Sequence, residues 1–329
     1  MIQNINFESY LKIKGISPSQ FKSSDIETPL HWLNNLENEF KGSKYTDLGD
    51  AIHVKILQPE LFENEVYLIT DKDLPLNYKK TISGDPNMVD AANKQAFAEI
   101  SMRNLDKTLL LPSQTIALTK MEQNIKSLKN FDKIIDLSRG IVEYSLFAVA
   151  EFDNSGDILY IQKAQSIHLE ATFEELLDNN ILRLKTRPDY FDLQFCFNSD
   201  LKSSNNISPQ KFSMTLGDMG YNAQLAFGVD LIHAEYNIMC DTCYILAVEN
   251  KPPYSAVRYV LVEDAINAGR IDYYNKLKWI FNALKTKTFL GYEIYSDVLD
   301  SEGNPSGAIW LDCTKNYYYK HNLQNLNKK

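Results

Sequence analysis

The chain is poor in cysteine, in net positive charge and in long apolar runs. Only four of its 329 residues are cysteine, at positions 196, 240, 243 and 313. That is too few to staple a chain of this length, and it fits a reducing compartment. No stretch reaches the ~18 consecutive apolar residues that a membrane helix needs, so no association with membrane is expected. The opening residues, MIQNINFESY, have neither a basic start nor an apolar stretch, so no signal peptide is expected and a cytoplasmic protein is. Lys and Arg number 34 against 43 Asp and Glu, a formal net charge of -9. This excludes a protein that coats nucleic acid by diffuse attraction, but not one with a local basic groove. The sequence also lacks internal repeats and low-complexity blocks.

What remains is an ordinary globular composition, 44% hydrophobic and 23% charged, long enough to bury a sizeable core. The first 135 residues read as mainly helical. Leu48, Ile52 and Ile56 recur at spacing four in 45–57, and Pro59 ends the run. Residues 86–105 also read as a helix, and so does the stretch from Pro112, with Leu118, Met121, Ile125 and Leu128 as its apolar stripe.

The pattern then turns to strands. These are expected at 140–153, 181–187 and 193–202, followed by a helical stretch at 210–233. Two more strands flank Pro252-Pro253, and a last helix runs through AINAGRIDYYNKLKWIFNALK. This order predicts an α/β (α+β) fold, a mixed sheet flanked by helices. The expected organisation is a helical region at 1–135 packed on a core at 136–295, with a C-terminal extension at 296–329, all in one compact domain.

Chemistry concentrates in RPDYFDLQFCFNSDLK, residues 187–202. On a strand, side chains alternate between faces. Asp200 and Lys202 then project together, with Gln194, Cys196 and Asn198, while Leu193, Phe195, Phe197, Ser199 and Leu201 take the apolar face. A hairpin would bring Asp189 close to Asp200. Two adjacent carboxylates repel, and a divalent cation with a preference for hard oxygen ligands, Mg²⁺ or Mn²⁺, resolves the conflict. A neighbouring lysine can orient an attacking water or stabilise charge on a phosphate, the chemistry of phosphodiester hydrolysis. The same string also reads as a turn aspartate followed by an exposed ion pair on an edge strand. Cys240-Asp241-Thr242-Cys243 has metal-ligand spacing, but no second pair or cysteine–histidine pair accompanies it. We read it as part of a buried strand.

The string LKTRPDYFD…SDLK resembles the PD-(D/E)XK nuclease superfamily, and the chain as a whole is similar to its RecE-type (exodeoxyribonuclease VIII-like) exonucleases of phages and mobile elements. Further matches occur in family order: SSDIETPLHWL, LGDAIHVKILQPELF, GIVEYSLFAV, MGYNAQLAFGVD and AVENKPPYSAVRYVL. The resemblance implies a PD-(D/E)XK core and a Mg²⁺- or Mn²⁺-dependent DNA exonuclease, a hydrolase exposing single-stranded tails on linear duplex for recombination. Asp189 and Asp200 would be the principal metal ligands, with His53 as a further ligand or phosphate contact. Glu143 would face the site from its strand, and Lys202 would orient the water. Tyr221 and Gln224, one helical turn apart, would contact DNA or support Lys202. Lys185 and Arg187, on the polar face of their strand, would touch phosphates. The tyrosine that relatives often carry four residues after the glutamine is Gly228 here, which bears on substrate grip. No cysteine precedes Cys196, so no iron–sulfur cluster is expected. As partners the resemblance implies DNA, and it admits a single-strand annealing protein and further copies of the chain. A catalytically quiet DNA-binding scaffold and a structure-specific or defence endonuclease stand as alternatives.

Overall fold

A computed structural model describes residues 5, 7–22, 26–37, 44–70, 72–73, 91–296 and 298–309. Cys313, residues 86–90 of the expected second helix, residues 23–25 of the SSDIETPLHWL match and most of the expected C-terminal extension lie outside the described residues.

The N-terminal part is built of helices α1 (Phe7–Lys12), α2 (Pro29–Glu37), α3 (Lys44–Leu57) and α4 (Phe62–Glu65). Strand β1 (Val66–Leu68), helix α5 (Ala91–Arg103), strand β2 (Thr108–Leu110) and helices α6 (Pro112–Lys126) and α7 (Phe131–Ile134) follow. Then come strands β3 (Ile141–Val142), β4 (Leu146–Phe152) and β5 (Ile158–Lys163), and short helices α8 (Ser166–Glu170) and α9 (Phe173–Asp178). Strands β6 (Ile181–Thr186), β7 (Tyr190–Asp192) and β8 (Phe197–Ser204) lead to helices α10 (Pro209–Asp218) and α11 (Tyr221–Tyr236). Strands β9 (Thr242–Glu249) and β10 (Ala256–Val260) and helix α12 (Glu263–Thr286) close the series. The fold is mixed α/β, as the sequence predicts.

Two sheets carry the core. One has five strands in the order β10-β9-β8-β7-β3, with β8 and β9 parallel and the other neighbours antiparallel. The other is an antiparallel β5-β4-β6 sheet. The chain passes from one sheet to the other twice. It bends at 143–145 between β3 and β4, and again at 187–189 between β6 and β7. The two bends lie side by side, and Glu143 N–H donates to the Asp189 carbonyl at 3.3 Å. The single strand expected over 140–153 is therefore two strands with a joint between them.

Alternation along β9 explains the layering. Cys243, Ile245 and Ala247 belong to the cluster that contains α11 and α12, whereas Leu246 and Val248 belong to the cluster that contains α3 and α6. The five-stranded sheet thus has α11 on one face and α3 on the other. The register Asp200↔Ile245 and Lys202↔Ala247 puts both charged residues on the α11 face, as the period-two reading requires. Cys243 lies on β9 and Cys240 just before it. Both are fully buried, and burial pushes both thiols up to about 12.

The expected strand over 193–202 begins later, at Phe197. Residues 193–196 form the turn of the β7–β8 hairpin instead. The Asp192 carboxylate accepts from the N–H groups of Gln194 and Phe195 at 2.9 and 3.0 Å, and Cys196 adopts φ +53°. Phe195 does not anchor a core face; its ring is exposed and lies 4.5 Å from the Arg139 guanidinium. The sequence reading also passes over β5, the partner of β4 across the Gly156 turn, as well as the short β1–β2 pair.

Candidate active site

The site grows from the double bend. Asp189 sits in the second bend and is buried. Antiparallel pairing of Tyr190 with Ser199 places it opposite Asp200, so the hairpin does bring the two carboxylates together. Asp189 Oδ2 accepts from the Leu201 backbone N–H at 2.8 Å and from His53 Nε2 at 2.8 Å. His53 Nδ1 lies 3.3 Å from Glu143 Oε1.

Local sequence explains why His53 reaches so far. It is on α3, four residues after Gly49 and so on the same helix face. A Cβ at Gly49 would lie 3.0 Å from Ser203 Oγ of β8. The absence of that atom lets α3 lie close to the sheet and sets His53 against Asp189.

Glu143 does not project from a strand, as the sequence reading has it. It occupies the first bend with φ +46°, a conformation uncommon for a residue with a Cβ. Such backbone outliers cluster where the surroundings over-determine a functional geometry. Its second oxygen lies 3.3 Å from Arg187 Nε.

On the α11 face, Lys202 Nζ is 2.6 Å from Asp200 Oδ2. This is a close ion contact off the hydrogen-bond direction, so the buried oxygen has no aligned donor among the described residues. Asp200 Oδ1 accepts from Gln224 Nε2 at 3.1 Å, and Lys202 lies 5.1 Å from the centre of the Tyr221 ring. Tyr221 thus lies against Lys202 and Gln224 against Asp200. Gly220 caps their helix at φ +59°, and a Cβ there would fall 1.6 Å from the Lys22 carbonyl oxygen. The glycine of the Gly-Tyr-x-x-Gln string is what lets the Lys22 backbone cross the start of α11.

Charges in the cluster shift one another. Burial opposes charge on His53, but Asp189 and then Glu143 outweigh it and raise the imidazole to about 9. Burial and the charge of Asp189 raise Glu143 to about 7 and Asp200 to about 6. Asp189 goes the other way: His53 and Lys202 overcome its burial and hold it well below the usual carboxylate range. Burial also opposes the charge of Lys202, yet Asp200 and Asp189 keep it above the ordinary lysine range.

The donor set fits a hard divalent cation. His53, Glu143 and Asp189 each offer a ligand atom, and these atoms all lie within 4.8 Å of one another. Asp200 stands beside them with an oxygen that lacks an aligned donor. A cation among them would relieve the repulsion by which Asp189 raises Glu143 and Asp200.

Of the two residues expected to touch phosphates, Lys185 is placed away from the cluster and Arg187 within it. Lys185 is buried beneath α1, where its ammonium donates to the carbonyls of Tyr10 and Ile13 at 3.0 and 2.7 Å. It is a structural clamp because the polar face of β6 is covered. Arg187 pairs with Glu143 and lies 5.1 Å from the Phe7 ring, so it braces the bend. Gly228 packs against β8, where a Cβ would already lie 2.9 Å from Asn198 Nδ2, leaving no space for the tyrosine of the resemblance.

One functional candidate escapes the sequence reading altogether. Lys22 Nζ donates to Gln224 Oε1 at 2.6 Å and lies 5.7 Å from the Tyr221 ring centre. Burial, followed by the charge of Lys202, lowers it to about 8. It occupies a loop with no periodicity to mark it. The signal to hand is Phe21, an apolar residue after Pro18-Ser19-Gln20, which fixes the loop in the core.

Among the described residues, no helix is long and apolar enough to cross a membrane. No protein-family model matches the chain, and no curated protein matches it. Among solved structures, the chain is similar to a crystal structure from Eubacterium rectale described as "Putative exonuclease". The identity is 11%, the match covers 86% of this chain and 87% of that chain, and the TM-score is 0.43.

Proposed function

We propose that the chain is a divalent-metal-dependent deoxyribonuclease that digests linear duplex DNA from its ends, leaving single-stranded tails that feed recombination. The reading rests on one observation: Asp189, Asp200 and Lys202 converge with His53 and Glu143 at the joint between two sheets. The PD-(D/E)XK resemblance supports this reading, and the RecE-type order of motifs supplies the preference for DNA ends.

Asp189, Asp200 and His53 would hold Mg²⁺ or Mn²⁺, with Glu143 beside them. When bound, the cation polarises a phosphoryl oxygen and acidifies a water. The chain's own residues do the rest. Lys202 stays protonated, so it acts as a donor, directing the attacking water or the phosphoryl oxygen that gains charge. Gln224 fixes the Asp200 carboxylate, and the Tyr221 ring holds the lysine's position. To serve as a ligand His53 would have to be neutral, giving up the proton that it directs at Asp189. Water attacks phosphorus and gives up a proton to solvent, the ester P–O bond breaks, and the departing oxygen takes a proton from solvent.

The test compares linear duplex labelled at either end with a covalently closed circle, in Mg²⁺ and in Mn²⁺. The expected result is progressive shortening of the linear form while the circle survives. Nicking of the circle at a comparable rate replaces the exonuclease reading with the endonuclease one. No cleavage of either substrate overturns the nuclease reading in favour of a DNA-binding scaffold.

A further inference from the structure

Lys22 has no place in the chemistry above, yet several devices of the fold position it. Phe21, fully buried, packs edge-on against Phe227 at 5.3 Å and lies 6.1 Å from Tyr273. The backbone N–H groups of Phe21 and Lys22 both donate to the Pro18 carbonyl. Gly220 gives way to the Lys22 carbonyl, and Gln224 bridges the Lys22 ammonium to Asp200.

The outcome is two ammonium groups over one aromatic ring, 5.1 and 5.7 Å from its centre. Lys202 has a carboxylate partner in Asp200. Lys22 has only a neutral amide oxygen, and among the described residues no carboxylate lies within ion-pair distance of it. Asp200 and Asp189 act on both ammonium groups, but Lys22 bonds only the neutral Gln224 oxygen, so its remaining N–H donors are left to offer to an anion. In a site that handles phosphodiesters, that anion is a phosphate.

We propose that Lys22 is a substrate-contacting residue whose ammonium, held by Gln224 over Tyr221 beside Lys202, binds a phosphate of the DNA strand in the site. The inference rests on the nuclease reading. It adds a contact from the N-terminal loop, so that the strand is gripped between this loop and β8.

The experiment is equilibrium binding of a short duplex oligonucleotide, with Ca²⁺ in place of Mg²⁺, across a salt series. Wild type is compared with Lys22→Met, which removes the charge at similar length, and with Lys22→Arg, which keeps it. Each phosphate contact contributes about 0.9 to the slope of log K against log salt on duplex and about 0.7 on single strands. The drop in affinity between roughly 50 and 200 mM salt is therefore about threefold smaller for Lys22→Met than for wild type, and the variant binds more weakly at the lower salt. Lys22→Arg keeps the wild-type slope, and so checks that the loop is intact.

An unchanged slope and affinity in folded Lys22→Met overturns the inference. So does an unchanged slope combined with weakened Mg²⁺ binding, which makes Lys22 a positioning residue acting through Gln224 on Asp200. A wild-type protein that cleaves DNA while Lys22→Met behaves normally leaves the nuclease reading standing and removes only this contact. A wild-type protein that neither binds nor cleaves duplex takes both down.

Discussion

Replacing Asp200 by asparagine should abolish cleavage and, in the absence of metal, make the protein more stable. Asp200 is raised from 3.8 to about 6 by its burial first and by the charge of Asp189 second, with Lys202 and Lys22 opposing. A folded-state value above the unfolded one means that folding favours the protonated, neutral acid. The associated stability is fully present below pH ~4 and is lost as the pH rises through about 6. Above that, the folded protein carries an ionised group that its surroundings disfavour, at a cost of about 3 kcal/mol at most. Asparagine is the neutral isostere and removes that cost. It has one acceptor where the carboxylate has two, so keeping Lys202 satisfied forfeits the Gln224 bond, a loss of about 1 kcal/mol. The net gain is at most about 2 kcal/mol, or roughly 3 °C in melting temperature for a chain of this size. Thermal unfolding in EDTA at pH 5 and pH 8 checks it, with the gap between variant and wild type opening at the higher pH. Saturating Mg²⁺ should then reverse the order, since metal at about 100 times its Kd stabilises wild type by about 2.7 kcal/mol and the variant little. A variant less stable than wild type in EDTA at pH 8 would refute the claim that the metal-free site is under electrostatic strain.

Lys202→Ala should lower the single-turnover cleavage rate by roughly 10²–10⁴ with Mg²⁺ affinity little changed. Lys202→Arg should rescue poorly, because a broad, planar guanidinium presents its donors differently from a compact ammonium; full activity in that variant would reduce the lysine to a generic positive charge. Cys240→Ala combined with Cys243→Val should keep cleavage within a few-fold of wild type, since both thiols pack in the core far above their ionisation range. Stoichiometric zinc or iron in the purified wild-type protein would contradict that reading.

Much of the site was legible because its geometry follows from local periodicity. A strand repeats every two residues, so Asp200 and Lys202 had to share a face. The spacing of Tyr221 and Gln224 put them one helical turn apart, whereas His53 entered only through the resemblance of its helix. What failed depended on what covers each face. Alternation in β6 correctly separates Leu182 and Leu184 from Arg183 and Lys185. It carries no sign that α1 lies over the second face and turns Lys185 into a clamp. Arg183 is engaged in the same way, donating to the carbonyls of His168, Lys14 and Ala171. Phe195 and Cys196 continue the alternating pattern of β8 and so read as strand, although the Asp192 carboxylate turns the chain there. Glu143 reads as a strand residue for the same reason: nothing in GIVEYSLFAV marks the joint, which arises from two sheets meeting. Lys22 was invisible because its significance lies in what crosses it, the start of α11 some two hundred residues later.

The double bend has a consequence for how the molecule holds together. At 143–145 and 187–189 the regular ladders of both sheets stop, and one long backbone bond, Glu143 to Asp189, spans the interval. Both sheets share one hydrophobic cluster through α11, so the seam is a local break in the hydrogen-bond ladders, and local opening should begin there. The side chains that cross it, His53 to Asp189 and Arg187 to Glu143, are the same ones that line the cluster. Whatever binds among them therefore bridges the break, and amide exchange should slow at the ends of β4, β6, β7 and β8 that flank it.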